Sequence, residues 1–236
     1  MMNIKIPLNS QFLSDLILQR TDPFLKLGGR NALMNWFSQG NINGLVNFLK
    51  VNNLVSDYLK MVFENYKSEI ISLMDKLPRK ALKRIVSIGP GNGIFELLLV
   101  RENLTTDLCL IDIEKTPEHY HGFNLKGSGY ANLQTTKTFI ESNIKFPLNI
   151  TLCNPTKEPL PKFEYSLFIS ILSMGFHYPC DEYTDFILSK SMVNSFVILD
   201  KRIDKLDAGF LKILENFSVI HLIKEEKYNR FFLKRN

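Results

Sequence analysis

The order of apolar and polar positions divides the chain into a helical beginning and a longer series of short apolar runs. Between residues 54 and 77, Val55, Leu59, Val62, Tyr66, Ile70, Leu73 and Leu77 recur every three or four positions. That is the spacing of one buried helix face, and Pro78 marks its end. Upstream, Asp22-Pro23 reads as a cap followed by a proline in the first helical position. Gly28-Gly29 and the stretch from Gly40 to Gly44 separate shorter helices. Phe24, Trp36, Phe37 and Tyr58 are expected to pack between them, as large aromatics usually do, with a pocket lining as the alternative. Residues 1–80 are therefore expected to form a helical extension or cap, and residues 81–236 a second domain.

In that second part the apolar runs are too short for helices. Residues 85–88, 108–113, 148–153, 164–172, 195–199, 219–223 and 230–233 read as seven strands. Residues 94–100, 130–142, 181–190 and 208–217 read as helices between them. Strand alternating with helix predicts an α/β domain with a mostly parallel sheet and helices on both faces. The last two runs are joined only by the polar segment from Lys224 to Lys227, which permits a hairpin.

The first strand is followed at once by Gly89, Gly91 and Gly93, and the second run carries Asp112 near its end, with Glu114 after it. Glycine supplies the unusual backbone angles of a tight strand-to-helix turn and lets a ligand approach the main chain. The free amides opening the next helix donate to a carboxylate or phosphate. An acid about 20 residues on, where the neighbouring strand ends, can hold a ribose diol. A dinucleotide site prefers Gly-x-Gly-x-x-Gly. Here the third glycine comes one residue early, and Ile94 stands in the expected place.

With that Gly-x-Gly-x-Gly spacing after a hydrophobic strand, the chain from about residue 82 onward resembles the class I S-adenosylmethionine (SAM)-dependent methyltransferases. It is loosely like those acting on small molecules and sugars. The resemblance implies a seven-stranded Rossmann-like methyltransferase sheet whose last strand runs antiparallel, between the fifth and sixth. It implies SAM as cofactor, Gly89, Gly91 and Gly93 passing its methionine end, and Asp112 gripping its ribose. In the family the third strand often ends in an acid that meets the adenine. Here Asn154 stands there, able to accept and donate. The fourth strand leads into Ser173-Met174-Gly175-Phe176-His177-Tyr178-Pro179, where the family places its catalytic loop. His177 is the candidate general base, because imidazole titrates near neutral pH. Tyr178 and Ser173 are candidates to orient the acceptor.

Composition narrows the reading without naming the acceptor. The chain has 236 residues, 45% of them hydrophobic, and a net charge of +5. Residues 1–80 carry +4, residues 81–200 carry −3 and residues 201–236 carry +4. The basic ends leave a nucleic-acid substrate open, but no run of five like charges favours it. No signal pattern or spanning segment is apparent. Three scattered cysteines fit a reducing, cytoplasmic setting. His119-x-His121 lacks the partners of a metal site, so none is expected. A small-molecule methyltransferase is thus expected, with a homodimer through the N-terminal helices left open. The alternatives are an RNA or DNA methyltransferase, a non-catalytic SAM-fold module, and a nicotinamide enzyme.

Overall fold

The computed structural model describes residues 4–102, 105–114, 129 and 131–236. His119 and His121 lie outside the described residues. The chain divides into two compact units, Met1–Leu73 and Met74–Asn236, with the break earlier than residue 80. Among the described residues no helix is long and apolar enough to cross a membrane.

The first unit contains α1 (Ser10–Gln19), α2 (Thr21–Lys26), α3 (Arg30–Gln39), α4 (Ile42–Val51) and most of α5 (Val55–Met74). The periodic residues Tyr58, Val62, Tyr66, Ile70 and Leu73 are all buried along α5. Asp22 does not cap α2. The helix begins two residues earlier, its N-cap is Arg20, and Asp22 lies in the first turn, where its charge still suits the helix dipole. Phe24 and Tyr58 are fully buried, with ring centroids 6.4 Å apart. Phe37, by contrast, lies on the surface. The Arg20 guanidinium pairs with Glu69 and lies 4.1 Å from the centre of the Tyr66 ring. The Tyr58 hydroxyl donates to the Arg20 carbonyl. One polar rivet thus ties α1, α2 and α5.

The second unit is organised by β1 (Arg84–Ile88), β2 (Asp107–Ile111), β3 (Asn149–Cys153), β4 (Tyr165–Ser170), β5 (Ser173–Tyr178), β6 (Ser191–Arg202), β7 (Phe217–Lys224) and β8 (Tyr228–Arg235). Seven of these form one sheet in the order β3-β2-β1-β4-β6-β8-β7. Strands β1 to β4 and β6 are mutually parallel, and β8 runs antiparallel between β6 and β7. This is the predicted topology, with one correction. Residues 171–172 end β4 early, and the expected catalytic loop is itself an additional strand, β5.

The helices α6 (Ile94–Arg101), α7 (Leu133–Ser142), α8 (Asp181–Lys190) and α9 (Ala208–Leu214) cover the sheet. Strand alternation sends Val86, Ile88, Cys109 and Ile111 into a core shared with Tyr183, Phe186 and Ile187 of α8 and with Phe210 and Ile213 of α9. The intervening Ser87 points the other way and donates to Glu96 of α6 at 2.6 Å. The chain winds outward from β1 in one direction and from β4 in the other. That reversal opens a crevice at the carboxyl ends of the two strands, where open α/β sheets bind ligands.

Candidate functional site

At that crevice β1 gives way to three residues with positive φ, Gly89 (+69°), Gly91 (+56°) and Gly93 (+74°). A side chain in this left-handed region costs ~1–2 kcal/mol. Two of the glycines are also required by the protein's own packing. A Cβ on Gly89 would lie 2.1 Å from Ser173 Oγ, and one on Gly93 would lie 2.6 Å from Thr136 Cγ2 in α7. The close approach expected from a ligand is thus partly made by β5 and α7. Gly91 is held by its polar groups. Its carbonyl accepts from the Thr136 hydroxyl, and its N–H donates to Asp112.

Asp112 follows β2 directly, and its own N–H donates to the Cys153 carbonyl at 3.2 Å. Its carboxylate also accepts from the Glu114 N–H at 2.8 Å. Burial raises its pKa from 3.8 to about 6; the two backbone N–H bonds act against that rise and the Glu114 charge adds to it. Glu114 itself adopts φ +59°. Burial works against its charge too, but hydrogen bonds from Asn154 (2.8 Å) and Lys157 (2.9 Å) hold it below the usual carboxylate range.

Asn154 is 5% exposed at the end of β3. Its amide group donates to Ile113 O and to Glu114 Oε2, and its oxygen accepts from the N–H and the hydroxyl of Thr156. An asparagine side chain has two donor hydrogens and two acceptor lone pairs. All four are engaged within the protein, so Asn154 acts on the crevice through Glu114.

On the opposite side of the crevice, Ser173 and Tyr178 share a hydrogen bond at 3.3 Å. Burial drives the Tyr178 phenol well above its ordinary pKa, with Tyr183 and Asp112 adding to the rise against the Ser173 bond. The hydroxyl is therefore neutral and points to the same crevice as Asp112. His177 has a different set of neighbours. Its ring meets Phe176 edge-on at 4.8 Å, and Phe176 in turn meets Tyr228 at 5.5 Å and the Arg202 guanidinium at 5.6 Å.

The predicted residues thus fall into two neighbouring groups. Gly89, Gly91, Gly93, Asp112, Asn154, Ser173 and Tyr178 are linked around one crevice, Gly93 through Thr136 and Asn154 through Glu114. His177 belongs with an aromatic cluster at the ends of β6 and β8. Sequence reasoning passed over Thr136, which carries no signal. It also missed Asp200, whose one clue is a charge ending an apolar run. Among the described residues no group of His, Cys, Asp and Glu could hold a metal ion.

No protein-family model matches the sequence, and no curated protein matches it. Solved structures do. Magnesium protoporphyrin IX methyltransferase from Synechocystis PCC 6803, determined with bound SAM, is 14% identical; the match covers 98% of this chain and all of that one, at a TM-score of 0.50. A SAM-dependent methyltransferase from Mesorhizobium loti is 11% identical over 70% of this chain and 96% of its own, at 0.48. The ribosomal protein L11 methylase of Lactobacillus delbrueckii subsp. bulgaricus is 10% identical over 76% of this chain and 79% of its own, also at 0.48. At such identities the likeness speaks for the architecture, and with the first of the three it extends over nearly the whole chain. The chain has the seven-stranded α/β fold of the SAM-dependent methyltransferases.

Proposed function

We propose that this protein is a SAM-dependent methyltransferase acting on a small-molecule acceptor, through a hydroxyl oxygen. The observation that carries the reading is the half-buried Asp112 carboxylate at the tip of β2, bonded to Gly91 of the glycine loop. Two backbone donors occupy part of a carboxylate's roughly four acceptor positions. Its raised pKa marks a charge short of donors, which the two hydroxyls of a ribose would supply. The donor set therefore fits the cofactor.

When bound, SAM supplies an activated methyl group on a sulfonium centre, so the protein's share is alignment and exclusion of water. Asp112 would hold the ribose, and the loop from Gly89 to Gly93 would carry the amino-acid end. Asn154 would set the adenine side indirectly, by fixing Glu114. Ser173 and Tyr178 would orient the acceptor as neutral hydroxyls. His177 would take the acceptor's proton when the acceptor reaches across β5 to lie against Phe176 and Tyr228. A thermal-shift comparison of SAM, S-adenosylhomocysteine (SAH) and NAD tests the cofactor class, because a ligand raises stability in proportion to RT ln(1 + [L]/Kd). SAM and SAH should stabilise the protein and NAD should not. Stabilisation by NAD alone would overturn the reading.

A further inference from the structure

A buried ion pair lies beside the crevice and belongs to none of the roles above. Asp200, at the carboxyl end of β6, is fully buried, and Arg230 of β8 is nearly so. Arg230 Nε donates to Asp200 Oδ1 at 2.6 Å, and Nη2 donates to Oδ2 at 2.8 Å. The two residues face each other in the antiparallel register. Planar two-point geometry of this kind is the strongest that a carboxylate makes. Replacing such a pair with apolar side chains is often neutral or stabilising, so stability alone gives a weak reason for it.

The pair has a third partner. Asp200 Oδ2 also accepts from the N–H of Leu172 at 3.0 Å. Leu172 has φ +51°, without being glycine. It is the residue at which the chain leaves β4 and turns into β5. The backbone of Asp200 also packs against β5 itself, since a Cβ on Gly175 would lie 2.8 Å from the Asp200 carbonyl oxygen. The next residue after Leu172 is Ser173, which fills the space left by Gly89 and bonds Tyr178.

From these contacts we infer that Asp200, oriented by Arg230, is a positioning residue that sets the β4–β5 turn and so seats Ser173 against Gly89, in the loop that would carry the methionine end of the cofactor. The inference rests on the SAM reading proposed above. It assigns Asp200 to one end of the cofactor only. The ribose and adenine end, at the tips of β2 and β3, is fixed by Asp112, Glu114 and Asn154.

Two double variants separate this role from general support. Asp200→Leu with Arg230→Met replaces the pair by packing and removes the acceptor of the Leu172 N–H. Asp200→Asn with Arg230→Gln keeps an oxygen for that N–H. The assay is calorimetric binding of SAH and of adenosine, with amide hydrogen exchange over residues 172–178. The apolar variant should lose about tenfold in SAH affinity, keep adenosine affinity within about twofold, and exchange at least tenfold faster over residues 172–178. The amide variant should keep SAH affinity within about threefold. Equal losses for SAH and adenosine would overturn the inference, as would unchanged exchange. Wild-type protein that binds neither ligand would instead remove the SAM reading on which the inference stands.

Discussion

Gly89→Ala probes the point where the glycine loop and β5 meet. The new methyl group would enter at φ +69°, 2.1 Å from Ser173 Oγ and 2.6 Å from Ser173 Cβ. The left-handed backbone costs ~1–2 kcal/mol for a residue with a Cβ. Relieving the overlap must shift β5 or its side chain, and overpacking of this kind costs ~1–3 kcal/mol. The sum, ~2–5 kcal/mol, is a large fraction of the ~5–15 kcal/mol that holds a domain together. Urea unfolding followed by circular dichroism measures it. Ser173→Gly removes both opposing atoms, so the double variant should recover the overlap share and leave the backbone share. A coupling of ~1–3 kcal/mol between the two substitutions is expected from a double-mutant cycle. Gly89→Ala as stable as wild type, or additive effects in the double variant, would refute the packing argument.

Asp112 makes cofactor binding depend on pH. With its pKa raised from 3.8 to about 6 by burial, protonation favours the folded chain. That contribution is complete below about pH 3.8 and is lost as pH rises through 6. Ribose donors favour the charged form, so SAH affinity should fall up to about tenfold per pH unit below pH 6. A flat affinity between pH 5 and 7 would contradict this. Asn154→Ala should cost ~1–3 kcal/mol of stability, because it removes the side-chain donor to Ile113 O and one of the donors to Glu114. SAH affinity should fall less than tenfold, and a larger fall at unchanged stability would return Asn154 to direct contact with the adenine.

Legibility in the sequence followed the range of the interactions involved. The helix at α8 and the succession of short apolar runs rest on local periodicity, and both were readable. The place of β8 between its neighbours came from the family resemblance, with the short polar connector permitting the hairpin. The end of β4 was not readable. Ile171 and Leu172 continue an apolar run, and nothing local says that Leu172 turns at φ +51°. The cause is Asp200, 28 residues away, itself held by Arg230, 30 residues further on. Asn154 was correctly placed at a strand end, but the four bonds of its side chain reach Ile113, Glu114 and Thr156, in two separate segments. The glycine spacing suggested a path for a ligand, whereas Gly89 and Gly93 also answer to Ser173 and Thr136.

The central claim is that the crevice at the carboxyl ends of β1 and β4 holds SAM, by its ribose at the tip of β2 and by its amino-acid end at the glycine loop. Calorimetric titration of SAH into the wild-type protein and into Asp112→Ala tests it most directly. Wild-type protein should bind, and the variant should bind more weakly by ~1.5–3 kcal/mol, the scale of hydrogen bonds to a charged group. That corresponds to a loss of about tenfold to somewhat over a hundredfold. Absence of binding by the wild-type protein, or equal affinity in the two, would contradict the account.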